Sequence, residues 1–477
     1  MAVTSKTSIT RNKENDLLPF FEPASVAVFG SLKQDMGPGY CTIKNMLDFG
    51  FTGKVYPINP SLTEVMGLRV YSGLDQVTEP IDLAMVVIPP PMVPQVIEEC
   101  AQKNVKAVII GSEGFAEAGE EGAALQRQAV EIARRAGMRI IGPNTLGVVN
   151  TANGLMTNTS YIGYRGFLKG GIAYCSQSGL LSFGCHPMGG RAYPISKCCD
   201  FGNKCDVNEV DILNYLADDP DTKVIAMHLE DIKDGPRFME AARRATAVKP
   251  VLILKPGRSK AGARAVSSHT GSLAGDDQIY DSAFRQVGVI RLNGWQEFWE
   301  IPRVFASQPL PKGNRLAIIS ASGAGGVLLA DAATEAGLAI ANFTDITTQR
   351  LSKLSPRFAS NPVDWGPMFP FVSDHLSFAI ELITTILADA NVDCAIVVFP
   401  AALSGLGPFE NMMSQVSNVS KPVTIFNFDS DLDVILETSR RLQALGLATY
   451  FELETAIKSL SVAVAYANTR VILSTST

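Results

Sequence analysis

KPGRSKAGARAVSSHTGSLAG, residues Lys255 to Gly275, is the stretch on which the reading of this chain turns. It follows an apolar, β-rich run, Val251-Leu252-Ile253-Leu254. It holds four glycines and a proline, and it shows no amphipathic period until Asp276, so it reads as a loop. Glycine lets such a loop be both tight and mobile. The chain has four histidines, and His269 sits here among Ser267, Ser268, Thr270 and Ser272. Lys255, Arg258, Lys260 and Arg264 precede it with no acid between them. A nucleophilic imidazole among cations and backbone N–H groups suits the handling of phosphate. The same residue types also describe a surface histidine on a basic loop, and residue type alone leaves both readings open.

Outward from this stretch, strands alternate with helices along almost the whole chain. Ser25-Val26-Ala27-Val28-Phe29 is a short apolar strand that runs into Gly30-Ser31, Gly37-Pro38-Gly39 and a helical pattern at Tyr40, Ile43 and Leu47. Strand, Gly-rich turn and helix open a nucleotide-binding βαβ unit, but the spacing is not G-x-G-x-x-G. That argues against NAD and leaves room for another phosphorylated adenosine ligand. Strands at 54–58, 83–88, 107–110 and 139–141 follow, with helices at 92–103 and 119–136 between them. This alternation predicts a parallel sheet covered on both faces. Ligands in such folds sit beyond the strand C-termini, where Gly30-Ser31, Asn59-Pro60, Pro89-Pro90, Ser112-Glu113 and Asn144 fall. The same residues also make ordinary βα turns.

A second α/β unit opens with strand Ile172–Cys175 and the turn Ser176-Gln177-Ser178-Gly179. A third opens with Arg315–Ser320 and the turn Ser322-Gly323-Ala324-Gly325-Gly326. A Ser/Gly turn that starts a helix offers unpaired N–H groups, a hydroxyl cap and a positive dipole end, which together suit an anion; a plain serine N-cap is the alternative. Strand 224–229 ends in Glu230. A carboxylate there would accept an imidazole N–H, fix the tautomer and raise the nucleophilicity of the other nitrogen. A solvated strand-end acid is the alternative. Residues 293–313 read as a helix and then a linker.

At 477 residues the chain has room for about three domains. With 46% hydrophobic and 18% charged residues it fits a globular protein, and a net charge of −6 argues against a nucleic-acid binder. No apolar run reaches the roughly 18 residues of a membrane span. The N-terminus MAVTSKTSITRNKEND lacks an apolar signal core. Eight scattered cysteines without C-x-x-C predict buried, reduced thiols and a cytoplasmic location. The histidines at 186, 228, 269 and 375 are not interleaved with cysteines at zinc spacing, so no metal site is expected.

SSHTGSLAG after a strand ending in LKPGRS resembles the phosphohistidine loop of NDP-forming acyl-CoA synthetases, the family of ADP-forming acetyl-CoA synthetase, related to succinyl-CoA synthetase. The resemblance runs from about Leu17 to Ala467. It takes in Gly202-Asn203-Lys204 with Asp206, the stretch LEDIKDG around Glu230, and Asn361-Pro362-Val363-Asp364, after which relatives usually carry an aliphatic residue and this chain has Trp365.

The resemblance implies an α/β chain with a Rossmann-like CoA-binding domain followed by two flavodoxin-like, succinyl-CoA-ligase-type domains with parallel sheets. The boundaries it suggests are a flexible 1–16, domains at 17–150 and 151–292, a linker at 293–313 and a domain at 314–477. It implies coenzyme A near Gly30, Ser31, Asn59, Pro60, Ile88, Pro89, Ser112 and Glu113. His269 becomes the phosphoryl carrier and Glu230 its orienting carboxylate. Phosphate and substrate fall to Asn144, Ser176, Gln177, Ser178, Gly179, Ser322, Gly323, Gly325 and Gly326. The activity implied is interconversion of carboxylate, CoA and ATP with acyl-CoA, ADP and phosphate, through an acyl phosphate and phospho-His269. Three α/β units leave no room for an ATP-grasp module. A separate ATP-grasp beta subunit in a hetero-oligomer is therefore expected to bind ATP or ADP and Mg²⁺, and a small carboxylic acid is the expected substrate. Two other classes fit the chain: a CoA-binding regulator or scaffold without chemistry, and an acyl or carbamoyl transferase that works without a phosphohistidine.

Overall fold

The computed structural model describes residues 16–34, 36–160, 167–181, 193–270 and 277–475; the described side chains exclude those of Phe167, 267–270 and 471–475. The chain divides into two compact units. One takes the described residues up to 160 together with Phe201–Asp218, and the other takes the rest.

The first unit is built on β1 (Ser25–Gly30), β2 (Lys54–Ile58), β3 (Leu83–Val87), β4 (Ala107–Ile110) and β5 (Arg139–Ile141), all parallel, in the order β2-β1-β3-β4-β5. These strands are nearly continuous Val, Ile, Ala and Met, as expected when both faces are covered. Helices α1 (Pro38–Asp48), α2 (Val93–Gln102) and α3 (Glu120–Arg135) cross between them. Alpha-helix α1 packs tightly on β1: a Cβ on Gly30 would stand 3.0 Å from the Val87 carbonyl oxygen and 3.3 Å from the Gly39 Cα. Glycine at both positions is what permits that approach.

The second unit holds two further parallel sheets. The first contains β6 (Phe167–Ser176), β7 (Tyr193–Asp200), β8 (Val224–His228), β9 (Val251–Leu254) and β10 (Ile290–Leu292), in the order β10-β9-β8-β6-β7. The second contains β11 (Arg315–Ser320), β12 (Ala339–Ile340), β13 (Cys394–Pro400), β14 (Val423–Phe428) and β15 (Ala448–Tyr450), in the order β12-β11-β13-β14-β15, with Val363–Asp364 pairing β11 off this path. Read by position in the chain, the five strands named in each sheet have the order 2-1-3-4-5, the flavodoxin-like winding. Its crevice opens at the C-terminal ends of the first and third strands.

The stretch expected to be a loop is in part a helix, α4 (Lys260–Thr270). Ser259 explains why. Its Oγ accepts from Gly262 N (3.0 Å) and its carbonyl from Ala263 N (2.8 Å), which starts the helix as an N-cap does. Ala261, Ala263 and Ala265 then carry it, and their propensity outweighs the roughly 1 kcal/mol cost of Gly262. Residues 271–276 lie outside the described residues.

Residues 293–313 contain two short helices, α5 (Trp295–Glu300) and α6 (Pro302–Ser307), whose apolar faces are buried. They carry an ion pair, Arg303 Nη1 to Glu300 Oε2 at 2.5 Å, with both residues at most 2% exposed. Tyr193 donates to Glu300, Arg303 donates to Thr449 Oγ1 (3.0 Å), and the guanidinium lies over the Tyr193 and Tyr450 rings. This segment therefore packs β7 of one sheet against β15 of the other. Trp365 is core: it is 1% exposed and stacked on Phe369 at 4.9 Å.

Candidate functional site

The turn residues singled out in the sequence follow the C-terminal ends of strands in the three sheets. In the first unit Gly30 and Ser31 leave β1, Asn59 and Pro60 leave β2, Ile88 and Pro89 leave β3, and Ser112 and Glu113 leave β4. Asn59 donates from Nδ2 to the Gly30 carbonyl (3.2 Å) and accepts from Ser61 N (2.9 Å), so it ties the β2 turn to the β1 turn. The Ser112 hydroxyl accepts from Ile88 N (3.0 Å) and donates to Ile88 O (2.6 Å), clipping the β4 turn to the β3 turn. Ser31, Pro89 and Glu113 are exposed around this edge. Helix α1 begins here without a side-chain cap and without an acid in its first turn. An exposed rim around side-chain-free Gly30, facing a helix N-terminus with no acid in its first turn, fits the phosphates of a nucleotide-bearing thiol such as CoA.

Asn144 follows β5 with φ of +59° and is held from below. The Gly202-Asn203-Lys204 turn donates Asn203 N to Pro143 O (2.9 Å) and Cys205 N to Gly142 O (3.1 Å). Asp206 accepts from Arg139 Nε (2.9 Å) and from Ile140 N (2.8 Å), while Lys204 and Glu209 form a buried pair at 3.0 Å. These motif residues therefore brace the Asn144 turn.

In the second unit the two Ser/Gly turns are copies of one device. Both read S-x-S-G, Ser176–Gly179 and Ser320–Gly323, and both follow the first strand of their sheet. In each, the first serine hydroxyl accepts from the second serine's N–H, at 2.8 Å in Ser176–Ser178 and 3.0 Å in Ser320–Ser322. Helix α7 (Gly323–Glu335) starts from the second turn, with Ser322 Oγ accepting from Gly325 N (3.3 Å). Gly323 approaches Asp364, where a Cβ would stand 3.0 Å from Oδ2, and Gly326 faces Pro362. Asn361 pins this Asn-Pro-Val-Asp segment to β11 by donating to Leu316 O and accepting from Ile318 N. At the first turn a helical turn starts at Gly179; its continuation through 182–192 lies outside the described residues.

The first turn is wired into a network of buried titratable groups. Ser176 Oγ lies 3.0 Å from Nδ1 of buried His228. The Gln177 carboxamide accepts from Glu230 N (2.6 Å) and Asp231 N (3.1 Å) and donates to Asp231 Oδ1 (2.8 Å). Glu230 lies two residues past β8 and is buried, as is Asp231. Beside them Lys255 is 3% exposed, with its ammonium 4.6 Å above the Tyr280 ring and donating to Pro256 O (2.9 Å). Burial, and then the Arg291 charge, hold that ammonium below the ordinary lysine range, against the pull of Asp231, Asp277 and Glu230. His269 has its backbone in α4, and its side chain lies outside the described residues.

A family model for the CoA binding domain matches residues 24–151, and one for the succinyl-CoA ligase like flavodoxin domain matches residues 169–305. The chain is 41% identical over 397 residues to the ADP-forming acetate–CoA ligase II subunit alpha of Pyrococcus furiosus, a match that covers 82% of this chain and 84% of that one. The chain belongs to the NDP-forming acyl-CoA synthetase family. It is similar also to the ADP-forming acetate–CoA ligase II of Archaeoglobus fulgidus, at 35% identity over 465 residues, covering 96% of this chain and 68% of that longer one. Among solved structures, acetyl-coenzyme A synthetase 1 of Ca. Korarchaeum cryptofilum, in complex with phosphate and ADP, matches with a TM-score of 0.84 and 30% identity, over 97% of this chain and 99% of that one. The chain is accordingly an acid–thiol ligase with a CoA-binding domain.

Sequence reasoning about this synthetase passed over four groups: buried Lys255, the His228–Ser176 contact, the Gln177 clamp and the Glu300–Arg303 pair. The last carried a signal, since an acid and a base three apart inside the apolar run Phe298–Phe305 mark a buried pair. The others depend on which strand lies beside which. The described cysteines other than Cys205 are buried, and burial pushes the thiols of Cys100 and Cys394 up to about 12. Such thiols are inert.

Proposed function

We propose that this synthetase makes acyl-CoA from a small carboxylic acid through a phosphoryl group carried on His269, with Glu230 orienting the imidazole. The phosphoryl group passes from the His269 nitrogen to a carboxylate oxygen of the acid, leaving the imidazole free and giving an acyl phosphate. The CoA thiol, losing its proton, then attacks the acyl carbon and phosphate leaves. His269 gains its phosphoryl group from ATP, which leaves as ADP, and run backwards the whole sequence returns that group to ADP. The chain's contribution is positioning and charge: two S-x-S-G turns, the first starting a helical turn at Gly179 and the second opening α7 at Gly323, and a buried carboxylate held at Glu230. The observation that carries this reading is Glu230, buried at the end of the strand next to the one that leads into α4, its own N–H locked to the first turn. CoA is assigned to the first unit at Gly30, Ser31, Asn59, Pro60, Ile88, Pro89, Ser112 and Glu113.

Nucleotide and Mg²⁺ are assigned to a separate ATP-grasp beta subunit. The name of the Pyrococcus relative, a subunit alpha, supports that division, and the longer Archaeoglobus chain supports a fused counterpart. The domain boundaries proposed are 17–150, 151–292 and 314–477, joined by the packed segment 293–313. The location proposed is cytoplasmic; among the described residues no helix is long and apolar enough to cross a membrane.

The test is to purify the chain with the subunit that accompanies it, incubate with labelled ATP and Mg²⁺, and look for acid-labile, base-stable label. Label on the chain that disappears in His269→Ala is expected. No label in the presence of an active ATP-grasp partner would overturn the route and favour the non-catalytic CoA-binding scaffold.

A further inference from the structure

The two S-x-S-G turns allow a comparison inside one chain. They share the S-x-S-G sequence and the serine-to-N–H bond that closes each. The residue at x differs: Gln177 in the first, Ala321 in the second. The residue opposite the first serine in the neighbouring strand differs too: His228 faces Ser176 in register, whereas Val398 faces Ser320. An alanine therefore suffices to form the turn, and the long carboxamide at 177 is not needed for its shape.

Among the described residues, the hydrogen bonds of that carboxamide lead away from its own turn. Oε1 accepts from both Glu230 N and Asp231 N, and Nε2 donates to Asp231 Oδ1. The main chain adds Gln177 N to His228 O at 3.2 Å. Three hydrogen bonds from the Gln177 side chain and one from its backbone thus fasten the segment His228–Asp231 to the first turn. A fork that holds two successive N–H groups and a carboxylate oxygen fixes both the position and the rotation of that peptide segment. The segment held is the one that bears Glu230.

We propose that Gln177 is a positioning residue: it sets the distance between the Glu230 carboxylate and the Ser178–Gly179 turn, and so aligns the group that holds the imidazole with the group that receives the phosphoryl oxygens. This rests on the phosphohistidine reading above, and it replaces the expectation that Gln177 itself contacts phosphate. The role is specific to the first turn, because the second has an alanine where the fork would stand.

Two variants test it, each purified with its accompanying subunit and labelled with ATP and Mg²⁺. Gln177→Ala copies the second turn and is expected to fold, with a thermal midpoint close to that of the unsubstituted chain and CoA affinity, measured by calorimetry, within about twofold, while the rate of labelling drops about a hundredfold, the size of effect expected for a misplacement of about 1 Å. Gln177→Glu keeps the shape but puts a second carboxyl against Asp231, in the field of Glu230, Lys255 and His228. Protonated, it donates to Asp231 as the amide does; ionised, it repels it. Asp231 raises its pKa, so its labelling rate, taken as a ratio to the unsubstituted chain at each pH, is expected to be highest at acidic pH and to fall as pH rises. A merely structural role would not give acid rescue. Labelling of Gln177→Ala at the unsubstituted rate, or a flat ratio for Gln177→Glu, overturns the proposal alone. Absence of label on the unsubstituted chain overturns the phosphohistidine reading and the proposal with it.

Discussion

Lys255 is a lysine that the sequence counts as one more cation of a basic loop and that the fold buries to 3% exposure. Its position at the end of β9 brings it under Tyr280 and into the field of Glu230 and Asp231. Burial favours the uncharged amine, so the folded chain binds this proton less tightly than the unfolded chain. Between the lowered folded pKa and the unfolded value of about 10.4, the unfolded state carries more protons, and stability from this group rises with pH. Below that window the cost is constant. Lys255→Met removes the titration. The thermal midpoint of the unsubstituted chain is therefore expected to gain on that of Lys255→Met as pH climbs from neutral toward 10; parallel curves across that range would contradict it. Arg258 shows the opposite fate for a neighbour in the same motif. It stays exposed and is used locally, donating to Asn293 Oδ1 at 2.6 Å. Residue type alone does not separate the two.

At the scale of elements, the turns are where sequence and structure agree most closely. The S-x-S-G turns, the Gly30-Ser31 turn and the Asn59-Pro60 turn were legible because their chemistry is local: hydroxyl caps, Asx turns and glycines act within three or four residues. Helix α4 was not legible, because Gly257, Gly262 and Pro256 carry loop signals that one capping serine and three alanines overrule. The Gly202-Asn203-Lys204 turn was visible as a motif, but not as the brace it forms. Gly202 has φ of +55°, and a Cβ there would stand 2.2 Å from the Pro143 carbonyl oxygen. Gly202→Ala is expected to lose about 2 kcal/mol or more, from the left-handed backbone and the displaced Pro143-Asn144 turn together. Urea unfolding measures it; a loss below about 0.5 kcal/mol would mean that the turn is free to shift.

At the scale of the molecule, the joint between the two sheets of the second unit decides how the two S-x-S-G turns are held in one body. It is polar at its centre: Glu300, Arg303, Tyr193 and Thr449 share hydrogen bonds out of reach of water. Removing one partner of a buried pair leaves an uncompensated charge, so Arg303→Met is expected to cost about 3–5 kcal/mol. Adding Glu300→Leu removes the stranded carboxylate, and the double variant is expected to recover part of that loss in chemical denaturation. A double variant less stable than Arg303→Met would show that Glu300 is held by Tyr193 in its own right.

The amino-acid sequence by itself determined the alternation of strands and helices, the parallel sheets that follow from it and the turns at which ligand groups collect. These rest on periodicity and turn chemistry, which act over a few residues. It also carried the resemblance that the comparisons with known proteins bear out at the level of family and fold class. Only the tertiary structure decided which polar groups are buried and what each one holds. Gln177 meets Asp231 across 54 residues of chain, and Arg303 meets Thr449 across 146. The reason is that desolvation and pairing depend on neighbours brought together by the winding of each sheet, and no local pattern encodes that distance.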